Sequence, residues 1–448
     1  MQNRKLLEKM KDMFKIIRGE IFDFLAESEL DASQPVPRFF SEGALVVSAG
    51  KVEEIGYYNN IREKYPDVPC EQYSGKLIVP AFIDTHIHYP QIEIIGSFGC
   101  QLVDWLKHYA FPAEKSFKDP VYARALAELF VQELFKNGTA SCMAFSTVHK
   151  EAVDALFEVA SGYNMRMITG LVWMNRHGDA ALMDDTKNAY RETRELIERW
   201  HKKGRNLYAI TPRFAISCDE ASLELQGKLH SEFPDTYVQT HLSENDQEVQ
   251  MIRTLFPEAE DYLEVYEKAG LVTNRAIFAH GIHLSDSELE RLAKTGASIA
   301  HCPTSNLFLG SGLFGLKRTH EAGVQITIAT DVGGGTSFSL LRTLGEAYKV
   351  QQLQKYALKP FEAFYRITLG AARALHLDHL MGNFDPGKEA DFVVLDGAVT
   401  TLQKLRLEFL NRTHSLDVES LLFGLQITGD DRNVVATHVM GEKVYVRF

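Results

Sequence analysis

From about residue 77 to 378, eight short apolar runs rich in β-branched residues alternate with longer amphipathic stretches. The runs are LIVPAFIDTHIH, TASCMAFS, RMITGLVW, LYAITPRF, TYVQTHLS, AIFAHGIH, SIAHCPTS and QITIATDV. Between them lie helical patterns such as YARALAELFVQELFKNG and AYRETRELIERWHKKG, each closed by a glycine suited to a helix C-cap. Parallel strands need crossover connections, so strands that alternate with helices predict a parallel sheet. Eight of them predict a closed (β/α)8 TIM barrel, an α/β fold.

The chain has 448 residues, more than the ~250 typical of such a barrel, which leaves material for a companion domain. Near both ends the apolar spacing changes to period two, in IIRGEIFDF, GALVVSAGKVEEIG, EADFVVLD and VVATHVMGEKVYVRF. Alternation around Gly-Lys and Gly-Glu-Lys turns reads as small antiparallel β structure. The expected division is residues 1–78 and 379–448 for the β domain, with 79–378 for the barrel. The first 13 residues read only as a polar, helical or frayed extension.

Hydrophobic residues make up 45% of the chain, enough for a large buried core. The net charge of −12 repels phosphate backbones and anionic lipid, so neither nucleic acid nor membrane is an expected partner. No run approaches the ~18 apolar residues of a membrane span, and the charged start lacks the apolar centre of a signal peptide. Five scattered cysteines (Cys70, Cys100, Cys142, Cys218, Cys302), none in a CxxC pair, fit a reducing cytoplasm rather than a disulfide framework or thiolate zinc site.

Six of the eight runs finish in chemically capable residues: HIH, PRF, THLSEN, AHGIH, CPTSN and ATDV. In a barrel of this type the active site lies at the carboxyl ends of the strands. His86 and His88 are two residues apart on an extended strand, so both imidazoles leave the same face and can reach one ion. His241 ends the fifth run, His280 the sixth and Asp331 the eighth. Any one of these histidines would more often be a hydrogen-bonded core residue; at matching strand ends they read as a metal site. His86, His88, His241 and Asp331 make a set of three nitrogens and one oxygen with room for water, the open coordination of a catalytic centre. The fourth run ends in Arg213 rather than a lysine able to bridge two metals, and a guanidinium stays protonated, so a single ion is expected.

Glu244 follows His241 by three residues and can lean over the site without ligating it. A carboxyl group that passes a proton from attacking water to a ring nitrogen is what hydrolytic deamination needs. Asp331 has two possible tasks, weak metal ligation and acceptance of a proton from the water, with His280 holding that water in line. Gln91 both donates and accepts, matching a lactam edge; Arg213 offers donors for a carbonyl and Phe214 a face for stacking. Salt-bridging for Arg213 and barrel packing for Phe214 are the plainer alternatives. The glycine-rich DVGGGTSF lacks the spacing and lysine of a phosphate loop and reads as a close backbone approach beneath Asp331.

Over nearly the whole chain, from about residue 14, these segments resemble the amidohydrolase superfamily. GKLIVPAFIDTHIHYPQ carries its general signature, while HYPQ, PRF and THLSEN together are similar to the narrower guanine-deaminase branch. The resemblance implies zinc or iron held by His86, His88, His241 and Asp331. It implies guanine contacts from His88, Gln91, Arg213, Phe214 and His241, Glu244 as proton shuttle and His280 assisting the water. It also implies a small β-sandwich built from both chain ends, and a homodimer. Two departures stand out: Pro80-Ala81 where relatives have Pro-Gly, and His301 in the seventh run, which either lines the pocket rim or packs. The rival readings are deamination of another amino-heterocycle (cytosine, an aminotriazine or a pterin), two-metal hydrolysis of a cyclic amide, and a scaffold that has lost catalysis. The scaffold reading predicts a missing ligand, and none is missing.

Overall fold

The computed structural model describes residues 14–26, 32–98 and 101–447; the reading of the first 13 residues lies outside these. The chain divides into two compact units: residues 1–83, 134–140 and 359–448, and residues 84–133 and 141–358.

In the first unit β1 (Phe14–Phe24), β2 (Pro37–Ser48), β3 (Lys51–Tyr57) and β4 (Cys70–Pro80) come from the amino-terminal end. The barrel strands follow in sequence: β5 (Phe82–His88), β6 (Thr139–Phe145), β7 (Arg166–Gly170), β8 (Val172–Trp173), β9 (Leu207–Pro212), β10 (Tyr237–Leu242), β11 (Ala276–His280), β12 (Ser298–His301) and β13 (Gln325–Ile328). From the carboxyl-terminal end come β14 (Phe392–Leu395), β15 (Val434–Val439) and β16 (Glu442–Val446).

The two ends build one seven-stranded sheet in the order β16-β15-β14-β4-β1-β2-β3, antiparallel except where β1 runs parallel to β4. Period-two alternation puts Ile17, Leu45 and Val47 on one face, and Ile16, Ala44 and Val46 on the other. The first face shares a single apolar cluster with Phe392, Val394 and Ala436 from the far side of the sheet. One sheet built from both chain ends is consistent with the small β domain expected from the resemblance. The second face is covered by Ile61 of the short helix Tyr58–Lys64 and by Val68. Sequence reading did not anticipate the helices Thr401–Arg412 and Val418–Thr428, placed between β14 and β15 and capped by Thr400 and Asp417. Period-two strands flank them, and the whole of 379–448 reads in sequence as part of the β domain.

The eight apolar runs become the barrel strands, in the order β13-β12-β11-β10-β9-β7-β6-β5. The third run is broken at Leu171, whose N–H is taken by the Tyr208 hydroxyl (2.9 Å), so it supplies β7 and then β8, which pairs with β9. The ring closes beyond β13: Asp331 N–H donates to the His86 carbonyl (2.9 Å) and His88 N–H to that of Val332 (2.7 Å). Thr330 adds its N–H (3.2 Å) and hydroxyl (2.5 Å) to the Asp84 carboxylate. The expected glycine closes the first helix, with Gly138 left-handed just past Pro120–Lys136, but the second, Thr186–Trp200, ends instead at an extended His201, and Gly204 lies in the turn beyond it. Among the described residues no helix is long and apolar enough to cross a membrane, and the cysteines Cys70, Cys142, Cys218 and Cys302 are free.

Candidate active site

All of β5 is buried, and period two sends Asp84, His86 and His88 to one side of it. His241 leaves β10, His280 ends β11 and Asp331 lies three residues past β13. His86, His88, His241 and Asp331 each offer one ligand atom, and these atoms lie within 4.8 Å of one another. Asp331 Oδ1 is 3.1 Å from His86 Nε2 and 3.3 Å from His88 Nε2; His88 Nε2 is 3.2 Å from His241 Nε2. His241 Nδ1–H donates to the Arg213 carbonyl (2.6 Å), which leaves the Nε2 lone pair facing the cluster.

This donor set fits a divalent ion. The buried Nε2 of His86 makes no hydrogen bond, which is costly unless something else takes the lone pair. Burial holds His88 below the ordinary imidazole range and His241 well below it, with the neighbouring histidines adding to the effect on both. Neutral imidazoles are what a metal binds. Burial pushes Asp331 upward, but the surrounding imidazoles outweigh it and keep the carboxylate ionised well below its usual range. A second close set, His280, Cys302 and Asp331, shares Asp331 with the first. Burial drives the Cys302 thiol far up, and its S–H points at the Ala300 carbonyl (3.4 Å).

Glu244 is buried beside this cluster. Burial raises its carboxyl well above the usual range, with Asp331 and Glu248 as neighbouring negative charges. Ser311 donates its hydroxyl to Glu244 Oε1 (3.1 Å), while Oε2 lies 3.4 Å from His280 Nε2. The loop carrying Glu244 is pinned by Glu248, which accepts the N–H groups of Glu244 (2.8 Å) and Asn245 (3.3 Å). His280 is held from behind by the Asn306 amide on Nδ1 (2.9 Å). Donation to Nδ1 puts the proton of neutral His280 on Nε2, between Glu244 and Asp331. Burial keeps that imidazole neutral, with its pKa down at about 3.

A pocket opens onto these groups. His88, Gln91, Arg213, Phe214, His241, Glu244, His280 and Asp331 line it, so every sequence-predicted site residue meets here or, for His86, in the adjoining cluster. Leu102, Trp105, Leu106 and Leu309 supply apolar walls that no motif announced. Glu114 was also missed: its buried carboxylate pairs with Arg213 Nη1 (2.5 Å) and accepts from Gln91 Nε2 (3.1 Å). Lone acidic and apolar residues in LVDWLKHYAFPAEK carry no spacing signal, whereas Asn306 is the last residue of the strand end CPTSN. His301 does not line this pocket; it is buried and stacks on Phe314 (ring centroids 4.6 Å apart).

Residues 77–444 match the model of the amidohydrolase family. The chain belongs to this family. It is similar to the guanine deaminase of Escherichia coli, 46% identical over 97% of this chain and 98% of that one. The solved E. coli guanine deaminase superposes with a TM-score of 0.92 at 45% identity, covering 97% of this chain and 99% of that one. Guanine deaminase from C. acetobutylicum with bound guanine in the active site superposes with a TM-score of 0.85 at 26% identity, covering 96% of this chain and 100% of that one. As an amidohydrolase, the protein places its polar strand ends where the superfamily resemblance implied.

Proposed function

We infer that the protein is a guanine aminohydrolase: it replaces the amino group at C2 of guanine with oxygen from water, giving xanthine and ammonia. The observation that carries this reading is one pocket in which a buried carboxyl group, Glu244, faces a three-histidine, one-aspartate cluster while Arg213 and Gln91 present polar groups beside the apolar face of Phe214. The 46% identity to a guanine deaminase over almost the whole length supports it.

His86, His88, His241 and Asp331 would hold one ion, with zinc the best match to three nitrogens and one oxygen and iron the alternative. The fourth run ends in Arg213, which stays protonated and cannot bridge two ions, and this supports one ion rather than two. When bound, the ion supplies the positive charge that makes a water molecule acidic near pH ~7. The protein groups handle the protons. Water donates one proton through Glu244 to the ring nitrogen beside C2 as its oxygen bonds to C2. Asp331 accepts the second, and the leaving amino group takes it up as the C2–N bond breaks. His280 Nε2–H, between the two carboxyl groups, orients the water. Arg213 donates to the carbonyl oxygen of the ring, and Phe214 packs against its face. A homodimer in the cytoplasm completes the reading. An exposed apolar stripe on helix Thr401–Arg412 (Leu402, Leu405, Phe409) supports the dimer, and the free cysteines suit a reducing compartment.

The test is ultraviolet loss of guanine with parallel ammonia release, beside adenine, cytosine and ammeline, with and without a chelator. Guanine alone should turn over, and chelation should stop it until metal is restored. No conversion of guanine by metal-loaded protein would overturn the substrate.

A further inference from the structure

The pair behind the pocket has chemistry of its own. Glu114 is almost completely buried on the short helix Phe111–Lys115 and does not itself line the pocket. Both of its oxygens are engaged from the substrate side: Arg213 Nη1 donates to Oε2 at 2.5 Å and Gln91 Nε2 to Oε1 at 3.1 Å. Phe111, on the same helix, lies under the Arg213 guanidinium at 5.0 Å. A carboxylate paired with a guanidinium accepts hydrogen bonds and cannot donate. The end of the Gln91 side chain that faces Glu114 must therefore be its NH2. Its Oε1 is turned the other way, toward Gly333, whose N–H approaches it at 3.4 Å.

We propose that Glu114 is a positioning residue that sets the hydrogen-bond polarity of the pocket. It holds Arg213 as donor and Gln91 in the one amide orientation whose carbonyl is available as acceptor. This rests on guanine being the substrate. Along its lactam edge guanine shows a carbonyl acceptor and then a ring N–H donor. A donor followed by an acceptor matches that order. A purine with an amino group at C6 shows the reverse order while keeping the same leaving group at C2. With an uncharged amide at position 114, Gln91 can turn over, because that amide can donate to Oε1 as readily as it accepts from NH2. Selection for the lactam edge then weakens although every group touching the reacting carbon is unchanged.

The experiment measures kcat and KM for guanine and for 2,6-diaminopurine with wild type, Glu114→Gln and Glu114→Asp, each with its metal content determined. Wild type should strongly prefer guanine. In Glu114→Gln the guanine KM should rise about 10–100-fold, the size expected from disrupting buried hydrogen bonds, with kcat within about 3-fold and metal retained. Its preference for guanine over the diamine should fall at least about 10-fold, and Glu114→Asp, which keeps the charge, should recover it. A merely structural role would lower both substrates together; an unchanged preference in Glu114→Gln overturns the proposal. Should that variant not fold, Gln91→Met carries the test: loss of preference is expected, and retention overturns the idea. Wild type that binds metal but ignores guanine would refute the substrate reading itself.

Discussion

At the scale of single residues, the site works by holding charges where water would normally dissolve them. Burial and two nearby carboxylates push Glu244 upward, while three imidazoles hold Asp331 below its usual range. Two carboxyl groups pushed apart in this way divide the work between proton donor and proton acceptor. Glu244→Gln preserves the shape but cannot exchange protons. We expect metal content to stay at the wild-type level and turnover to fall by about 10²–10⁴, the usual worth of a general acid or base. Steady-state kinetics beside metal analysis reads both, and near-normal turnover would remove Glu244 from the mechanism. His280 and Asp331 both adopt positive φ (77° and 51°), a conformation that costs a non-glycine residue energy and recurs at functional sites. A sequence shows which residues stand at strand ends; it does not show that two of them are held in left-handed backbone.

At the scale of elements, the loop after β13 shows why three glycines follow Asp331. A Cβ on Gly333 would lie 2.6 Å from the Gln91 carbonyl oxygen, one on Gly334 2.7 Å from Ser305 Oγ, and one on Gly335 1.8 Å from the Thr330 carbonyl oxygen. The close backbone approach read from DVGGGTSF is thus a requirement at Gly333 and Gly335, where backbone oxygens stand in the way, while at Gly334 only the Ser305 hydroxyl would have to shift. Gly335→Ala should displace the Asp331 loop, destabilise the fold by at least about 1–3 kcal/mol and lower metal occupancy. Thermal unfolding with metal analysis checks this; unchanged Tm and full occupancy would mean the loop yields freely. The strand ends were legible because a barrel collects its active residues there. The rest of the pocket wall was not. Trp105 and Leu102 come from a segment whose apolar residues look like those of any amphipathic helix, and only its seat over the barrel mouth gives them a ligand to touch.

At the scale of the whole molecule, Leu402, Leu405 and Phe409 lie at i, i+3 and i+7 on one helix and are 78%, 55% and 54% exposed. A stripe of this kind costs solubility unless something covers it, and the proposed dimer is a cover of the right chemistry. Sedimentation of wild type should give twice the chain mass. The Leu405→Glu, Phe409→Glu pair should bring it to one chain mass while leaving metal binding intact. A monomeric wild type at micromolar concentration would end the dimer proposal.

The alternation of strand and helix determined the barrel, because period-two and helical spacing are written locally and eight repeats leave few ways to close a parallel sheet. The candidate metal-ligand set was legible for the same reason: His86 and His88 share a strand face, and His241 and Asp331 sit at ends that a barrel must bring together. Tertiary structure alone decided the rest. Glu114 reaches Arg213 across 99 residues of sequence, Ser311 reaches Glu244 across 67, and Asn306 steadies His280 from the next strand's loop. Such pairings depend on which side chains point inward from one- or two-turn helices and loops, which are too short for a period to tie a residue's position to its direction.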